Sequence, residues 1–434
     1  MLYNLIIYVY LWGVAIYSCF NEKVRKMWRG ERAAFQVLKE KVDPEAKYVW
    51  FHAASLGEFE QGRPLMERLR QEHPEYKILL TFFSPSGYEV RKDYKGADII
   101  CYLPLDTPVN AIRFLRLVHP VMAFFIKYEF WYNYLHILKH RNVPVYSVSS
   151  IFRPDQVFFK WYGRQYGRVL NCFTHFFVQN EQSRELLAKI GINEVTVVGD
   201  TRFDRVLQIK EAAKKLKEVE YFCQYNISDD PNPDEDEVIT ACAGYTPPQG
   251  VFVAGSSWPP DEDIFIRYFL EHKLFGYGKW KLIIAPHVID ESHLAQIEQK
   301  LEGCKVVRYT KYDCYSFESA DVLIIDCFGL LSSIYHYGSV AYVGGGFGVG
   351  IHNLLEAAVW DVPVFFGPNN QKFQEAQGLK KSGGFEINNY EEFETQMDRF
   401  ATDAAYLKEQ GQLAGKFVQS LAGATDEVLS AIPL

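Results

Sequence analysis

The sequence predicts an α/β protein of two domains, each built on a parallel sheet with crossover helices. Its 434 residues exceed what one core usually holds, since cores seldom grow beyond ~250 to 300 residues. Short apolar runs alternate with amphipathic stretches, first from Tyr48 to Gln179 and again from Val251 to Phe366. Between the two series, Asn226 to Gly250 is rich in Asp, Glu, Pro and Gly, a composition that buries too little apolar area to order itself strongly.

The elements follow in order. Met1 to Phe20 holds no charged residue, and a helix of that length just spans a ~30 Å hydrocarbon layer, so residues 1–20 read as a membrane anchor. Asn4, Tyr8, Tyr10, Trp12, Tyr17 and Ser18 dilute its apolarity, which keeps an interfacial helix as the alternative. Lys23, Arg25, Lys26, Arg29 and Arg32 come next; by the positive-inside rule they place the rest of the chain on the cytoplasmic side, facing anionic membrane lipids.

Residues 21–208 form the first domain, with strands expected at Tyr48–His52, Lys77–Phe83, Val121–Ile126, Val143–Val148 and Phe176–Gln179. A helix at Ile209–Tyr221 and the acidic stretch make a linker over residues 209–250. The second domain, residues 251–410, has strands expected at Val251–Ala254, Lys281–Ala285, Val322–Ile325, Val340–Val343 and Val362–Phe366, and residues 411–434 read as a carboxy-terminal helix. Phe158–Arg164 reads as an amphipathic core helix, with a basic and aromatic membrane-docking surface as its alternative.

Composition excludes some functions. A formal net charge of -8 with no basic tail argues against a nucleic-acid partner. Cys19, Cys101, Cys172, Cys223, Cys242, Cys304, Cys314 and Cys327 form no CxxC pair, so a reducing compartment without structural zinc is the simplest reading. No metal and no cofactor is called for.

In open parallel sheets, ligands bind outside the carboxyl ends of the strands, which directs attention to the strand-to-helix loops. Ser55-Leu56-Gly57-Glu58 has capping-box spacing, yet it also sets a carboxylate beside a glycine that admits a substrate, as a general base requires. Ser84-Pro85-Ser86-Gly87 is a capped turn or an acceptor contact. Glu129, in Lys127-Tyr128-Glu129-Phe130-Trp131, needs either Lys127 as a partner or a function. Arg202 either bridges to Asp200 or Asp204 or pairs with an anionic donor. The run Gly344-Gly345-Gly346-Phe347-Gly348-Val349-Gly350 permits close backbone approach, and the helix after it offers amides to a phosphate. Asn353 and Glu356, one turn apart, are a cap or a ribose clamp. Neither GxGxxG nor GxxxxGK[ST] is present, so dinucleotide and ATP readings are weak.

Taken together, these loops resemble the CMP-Kdo:lipid A Kdo transferases, where Kdo is 3-deoxy-D-manno-octulosonic acid. The likeness is carried by Ser55-Leu56-Gly57-Glu58, by Glu129-Phe130-Trp131-Tyr132-Asn133, by Gly199-Asp200-Thr201-Arg202-Phe203-Asp204, and by Gly350-Ile351-His352-Asn353-Leu354-Leu355-Glu356 followed by Pro363-Val364 and Gly367-Pro368. Four places depart from the family pattern: Lys127 stands where relatives have Glu, Arg202 where they have Lys, Pro286-His287-Val288 where many have Pro-Arg-His, and Gly329-Leu330 where they have Gly-Glu.

The resemblance implies a GT-B fold with two Rossmann-like domains facing a cleft, and inverting, metal-independent transfer of Kdo from CMP-Kdo to a lipid A precursor at the inner membrane. It makes Glu58 the base, with Glu129 and Arg202 as catalytic partners. Donor contacts are implied for Pro286, His287, Phe328, Gly329, Leu330, Gly345, Gly346, Asn353, Leu354, Leu355 and Glu356, and acceptor contacts for Ser55, Gly57, Ser84 and Ser86. The rival readings are a GT-B transferase or epimerase acting on a UDP-sugar, and a non-catalytic membrane-bound nucleotide sensor.

Overall fold

A computed structural model describes residues 2–223, 249–274, 279–311 and 320–434, so most of the acidic stretch, with Cys242, and also Cys314, lie outside the described residues. The chain divides into two compact units: one runs to Arg205 and takes in Leu421–Leu434, and the other is Val206–Ser420. The first boundary falls inside the helix Arg202–Glu211, a few residues before the expected one.

The first unit holds a seven-stranded sheet of β1 (Lys47–Ala53), β2 (Tyr76–Phe82), β3 (Ile99–Tyr102), β4 (Met122–Ile126), β5 (Val145–Ser150), β6 (His175–Val178) and β7 (Val195–Val197). Their order is β3-β2-β1-β4-β5-β6-β7, every pair parallel. Alternate residues of each strand serve opposite faces. Trp50, Leu79 and Phe125 pack on the side covered by the helix α2 (Glu22–Lys41) through Ala34, Phe35 and Leu38. Phe51, Leu80 and Phe124 pack against Phe59, Leu65 and Leu69 of the helix α3 (Leu56–Glu72).

Residues 411–434 are not one helix. Ala404–Ser420 stays in the second unit, whereas Leu421–Leu434, which contains the helix Ala424–Ser430, joins the first, adding Ala424, Val428, Leu429 and Ile432 to the core beside α3. Asp204 fixes that return by accepting from Gly423 N at 2.5 Å and Thr425 N at 2.7 Å.

The second unit repeats the plan with β8 (Gly250–Ser257), β9 (Trp280–Pro286), β10 (Val306–Arg308), β11 (Val322–Ile324), β12 (Val340–Val343), β13 (Val364–Phe366) and β14 (Gly384–Glu386), in the order β10-β11-β9-β8-β12-β13-β14. Strand order reverses between β1 and β4 in the first sheet and between β8 and β12 in the second, the positions where open parallel sheets take ligands.

The amino-terminal helix α1, Leu2–Tyr17, has 16 residues and is about 24 Å long. No helix among the described residues is long and apolar enough to cross a membrane, so the expected span over residues 1–20 is not found. Instead α1 lies along the first unit. Tyr3 donates to buried Asp106 at 2.7 Å, Asn4 accepts from Asn133 at 2.9 Å, and Val14 packs with Met27 and Tyr102. Leu5, Val9, Trp12 and Ile16, at helical spacing, remain exposed. Phe158–Arg164 is not an amphipathic helix: it breaks into short 3₁₀ turns that bury Phe158 and leave Trp161 83% exposed.

Candidate active site

Three loops at the carboxyl ends of β2, β1 and β4 meet in the first unit, because those strands are neighbours in the sheet. Ser84 N donates to Ala54 O at 2.7 Å, and a Cβ on Gly87 would come within 3.1 Å of the Ser55 backbone, so the β2 loop rests on the β1 loop. Ser84 caps the helix Pro85–Arg91 by accepting from Ser86 N, which makes this loop a capped turn.

The expected capping box at Ser55 does not form. Ser55 stands at the N-cap of α3 in extended conformation, but its hydroxyl makes no capping bond and donates to the Glu58 carboxylate instead. Glu58 is half-buried and makes no ion pair among the described residues, so its carboxylate is engaged by a hydroxyl rather than neutralised by a cation. A Cβ on Gly57 would meet nothing nearer than Ser55 Oγ at 3.9 Å; protein packing does not require glycine here, and the space stays open beside the carboxylate.

Glu129 is 14% exposed and does not pair with Lys127. Its Oε2 accepts from Trp131 Nε1 at 2.7 Å and lies 3.2 Å from His52 Nε2. Lys127 adopts φ 67°, a left-handed conformation that costs a residue with a Cβ free energy and clusters at functional sites. His52, buried at the end of β1, was missed by sequence reasoning because its partners Thr81 and Glu129 are remote along the chain. A histidine inside an otherwise apolar strand was the available signal.

Arg202 takes the bridging role: Nε donates to Asp200 Oδ2 at 2.9 Å, and Asp200 also accepts from Gln61. Burial alone would raise the Asp200 carboxyl, but the Arg202 guanidinium and Gln61 carry it below the usual range. Asp204 is spent on Gly423 and Thr425. Burial raises the Tyr128 phenol, Arg153 opposes that, and Asp200 and Glu58 add to it, so one phenol feels both the Glu58 loop and the Arg202 loop.

In the second unit the loops after β8, β9 and β12 gather. Trp258 stacks on His287 with ring centroids 4.8 Å apart, and His287 on His352 at 4.3 Å. Burial, then the neighbouring His287, push His352 down to about 4, and burial lowers His287 as well, so both shifts favour the uncharged rings. Pro286 ends β9 and pairs with Ser257, which brings His287 into place. Phe328, Gly329 and Leu330 follow β11 at the same edge; Phe328 is exposed, and none of the three makes a hydrogen bond or ring contact with the stack among the described residues.

The glycine run serves the protein as much as any ligand. A Cβ on Gly344 would meet Ser256 O at 2.4 Å, and one on Gly346 would meet Gly367 Cα at 2.5 Å. The Gly345 amide is turned inward and donates to Asp261 Oδ2 at 2.9 Å, while Tyr342 donates to Oδ1 at 2.8 Å. Burial pushes the Asp261 carboxyl up against the pull of these donors. The following helix, Leu355–Ala358, is a single turn, so its dipole is small. Asn353, one residue before the N-cap Leu354, accepts from Leu355 N at 3.2 Å and donates to Glu356 Oε1 at 2.9 Å, while Leu354 and Leu355 are buried beneath it.

Two parallel-sheet α/β units, each with a reversal of strand order, have the architecture of the GT-B fold. Among solved structures, UDP-GlcNAc 2-epimerase from Neisseria meningitidis matches with a TM-score of 0.58 at 13% identity over 88% of this chain and 99% of that one, which shows the fold alone. Residues 28–205, which include Ser55, Glu58, Glu129 and Arg202, match the family described as 3-Deoxy-D-manno-octulosonic-acid transferase (kdotransferase). The 3-deoxy-D-manno-octulosonic acid transferase of Aquifex aeolicus is 27% identical over 80% of this chain and 84% of its own length, and that of Rickettsia felis 24% identical over 95% and 88%. The chain is similar to Kdo transferases over most of its length, in line with the resemblance of its loops, and these relatives favour neither a UDP-sugar enzyme nor a non-catalytic sensor.

Proposed function

We propose that the protein transfers Kdo from CMP-Kdo to a lipid A precursor with inversion at the anomeric carbon. The observation that carries this reading is the Glu58 carboxylate, half-buried at the reversal point of the first sheet, bonded to the Ser55 hydroxyl and free of any ion pair among the described residues. Glu58 takes the proton from a glucosamine hydroxyl of the acceptor; the oxygen attacks the anomeric carbon, and the bond from that carbon to the phosphate oxygen breaks. CMP leaves as a phosphate monoester with one more negative charge. Glu129 opposes the positive charge that develops on the sugar.

Purified protein given CMP-Kdo and a tetraacylated lipid A precursor is expected to yield a product heavier by Kdo in mass spectrometry, inhibited by CMP. Tight UDP binding with no effect of CMP would overturn the donor assignment.

We also propose that the enzyme works at the cytoplasmic face of the inner membrane, held by α1 lying in the surface. The exposed stripe Leu5, Val9, Trp12 and Ile16 and the neighbouring Trp161 and Tyr162 support this; Tyr3 of α1 stacks on Tyr166 at 6.0 Å, close in sequence to both. Replacing Leu5, Val9 and Trp12 together by serine is expected to abolish flotation with anionic vesicles and to leave turnover on a detergent-dispersed acceptor unchanged. Undiminished flotation would refute the surface attachment.

A further inference from the structure

A chain of hydrogen bonds runs from the interior of the first sheet to the Glu129 carboxylate, and its direction can be worked out donor by donor. Trp50 Nε1, which can only donate, gives its proton to Thr81 Oγ1 at 2.8 Å. The Thr81 hydroxyl then has one proton to place. Phe51 O is 3.4 Å away, beyond good hydrogen-bond geometry, whereas His52 Nδ1 is at 2.9 Å. His52 Nδ1 is therefore the acceptor, and the ring proton sits on Nε2, which faces Glu129 Oε2 at 3.2 Å.

The opposite tautomer would turn a bare nitrogen lone pair towards a carboxylate. The indole N–H of Trp131 lies within hydrogen-bond distance of both groups, 2.7 Å from Glu129 Oε2 and 3.0 Å from His52 Nε2, and the nearer carboxylate oxygen takes the larger share of it. With the proton on Nε2, the Glu129 oxygen receives two N–H donors from two different elements, β1 and the segment after β4, across the reversal point of the sheet. The His52 ring is itself held edge-on by Phe125 and Trp131, with centroids 5.7 and 6.0 Å away.

We infer that His52 is a positioning residue for transfer: Thr81 fixes its tautomer so that Nε2–H holds the Glu129 carboxylate in one orientation. A histidine kept only for packing would gain nothing from a polar partner at each nitrogen, whereas a carboxylate used in chemistry needs its orientation fixed by neighbours. The inference rests on the role given to Glu129 in the proposed reaction.

Two substitutions separate the two ends of the imidazole. His52→Gln keeps a donor near the position of Nε2 and gives up the Thr81 contact; His52→Asn keeps a group near Nδ1 and gives up Glu129. The expected result is a fall in kcat of about 10- to 100-fold for His52→Asn with both KM values unchanged, and a smaller fall for His52→Gln. In a Glu129→Gln background neither substitution should lower kcat further. Equal losses in both backgrounds would show a packing role only and overturn the inference.

Imidazole ¹⁵N spectra of the full chain provide a readout without substrate, with the His52 signals assigned by their loss in His52→Gln. A protonated Nε2 whose resonance moves on Glu129→Gln is expected; a bare Nε2 overturns the inference even if transfer is normal. If no Kdo is transferred, the proposed function fails, and the spectra still decide the coupling of His52 to Glu129.

Discussion

Glu58→Gln is expected to lower turnover by about 10²- to 10⁴-fold, the range that a positioned general base contributes. The substitution keeps the shape of the side chain and an oxygen that accepts from the Ser55 hydroxyl, so the start of α3 should hold. It removes only the capacity to take a proton. Binding of CMP-Kdo should be unchanged, since its expected contacts lie in the other unit, and the thermal midpoint should stay near that of the unaltered chain because Glu58 makes no ion pair among the described residues. Rapid-quench assays of a single turnover check this directly. Unchanged product formation would remove Glu58 as the base.

The second large effect is expected at Gly345. Its φ is +94°, and a Cβ there would meet Gly350 O at 2.4 Å and His352 Cδ2 at 3.2 Å. Gly345→Ala therefore combines backbone strain of about 1–3 kcal/mol with a backbone collision that no side-chain movement relieves. To escape, the loop must release the bond from Gly345 N to Asp261 and shift His352 out of the stack with His287. The expected outcome is a lowered calorimetric midpoint for the second unit together with at least about tenfold weaker CMP-Kdo binding, equivalent to ~1.4 kcal/mol. Gly348→Ala is the control, because a Cβ there meets nothing within 4 Å; it should leave the midpoint unchanged. A Gly345→Ala protein with normal stability and normal donor affinity would show that the loop adapts at no cost.

What the sequence revealed of the fold divides by position in the sheets. The interior strands were all legible, because strands covered on both faces read as unbroken apolar runs, as at Trp280–Pro286 and Val340–Val343. The four strands that escaped notice, Ile99–Tyr102, Val195–Val197, Val306–Arg308 and Gly384–Glu386, are the four sheet edges. Each is three or four residues long, and Val195–Val197 is only half-buried, so no run long enough to stand out exists. Short edge strands also limit unwanted pairing, and so the property that hides them in sequence has a use.

The site was legible where a residue acts near its sequence neighbours and obscure where it acts through distant ones. Spacing and charge single out the Glu58 and Glu129 loops, and the one-turn interval anticipates the contact between Asn353 and Glu356. For Ser55 the spacing leaves two alternatives open, since it cannot say whether the hydroxyl turns to the backbone or to Glu58; the structure shows the latter. Asp261 was not seen at all: it lies 84 residues from the Gly345 amide it accepts from, and nothing local distinguishes it from an ordinary helix-start carboxylate.

The return of Leu421–Leu434 into the first unit sets an order of assembly. Ala424, Val428 and Leu429 fill part of the core beside α3, and Asp204 waits for Gly423 and Thr425 as partners. Those residues are synthesised after the whole of Val206–Ser420, so the unit that the ribosome begins first is the one whose interior closes last. Until then one side of α3 lacks its cover, and a nascent chain stalled before residue 421 would present that apolar side to chaperones while its later-made partner is already complete.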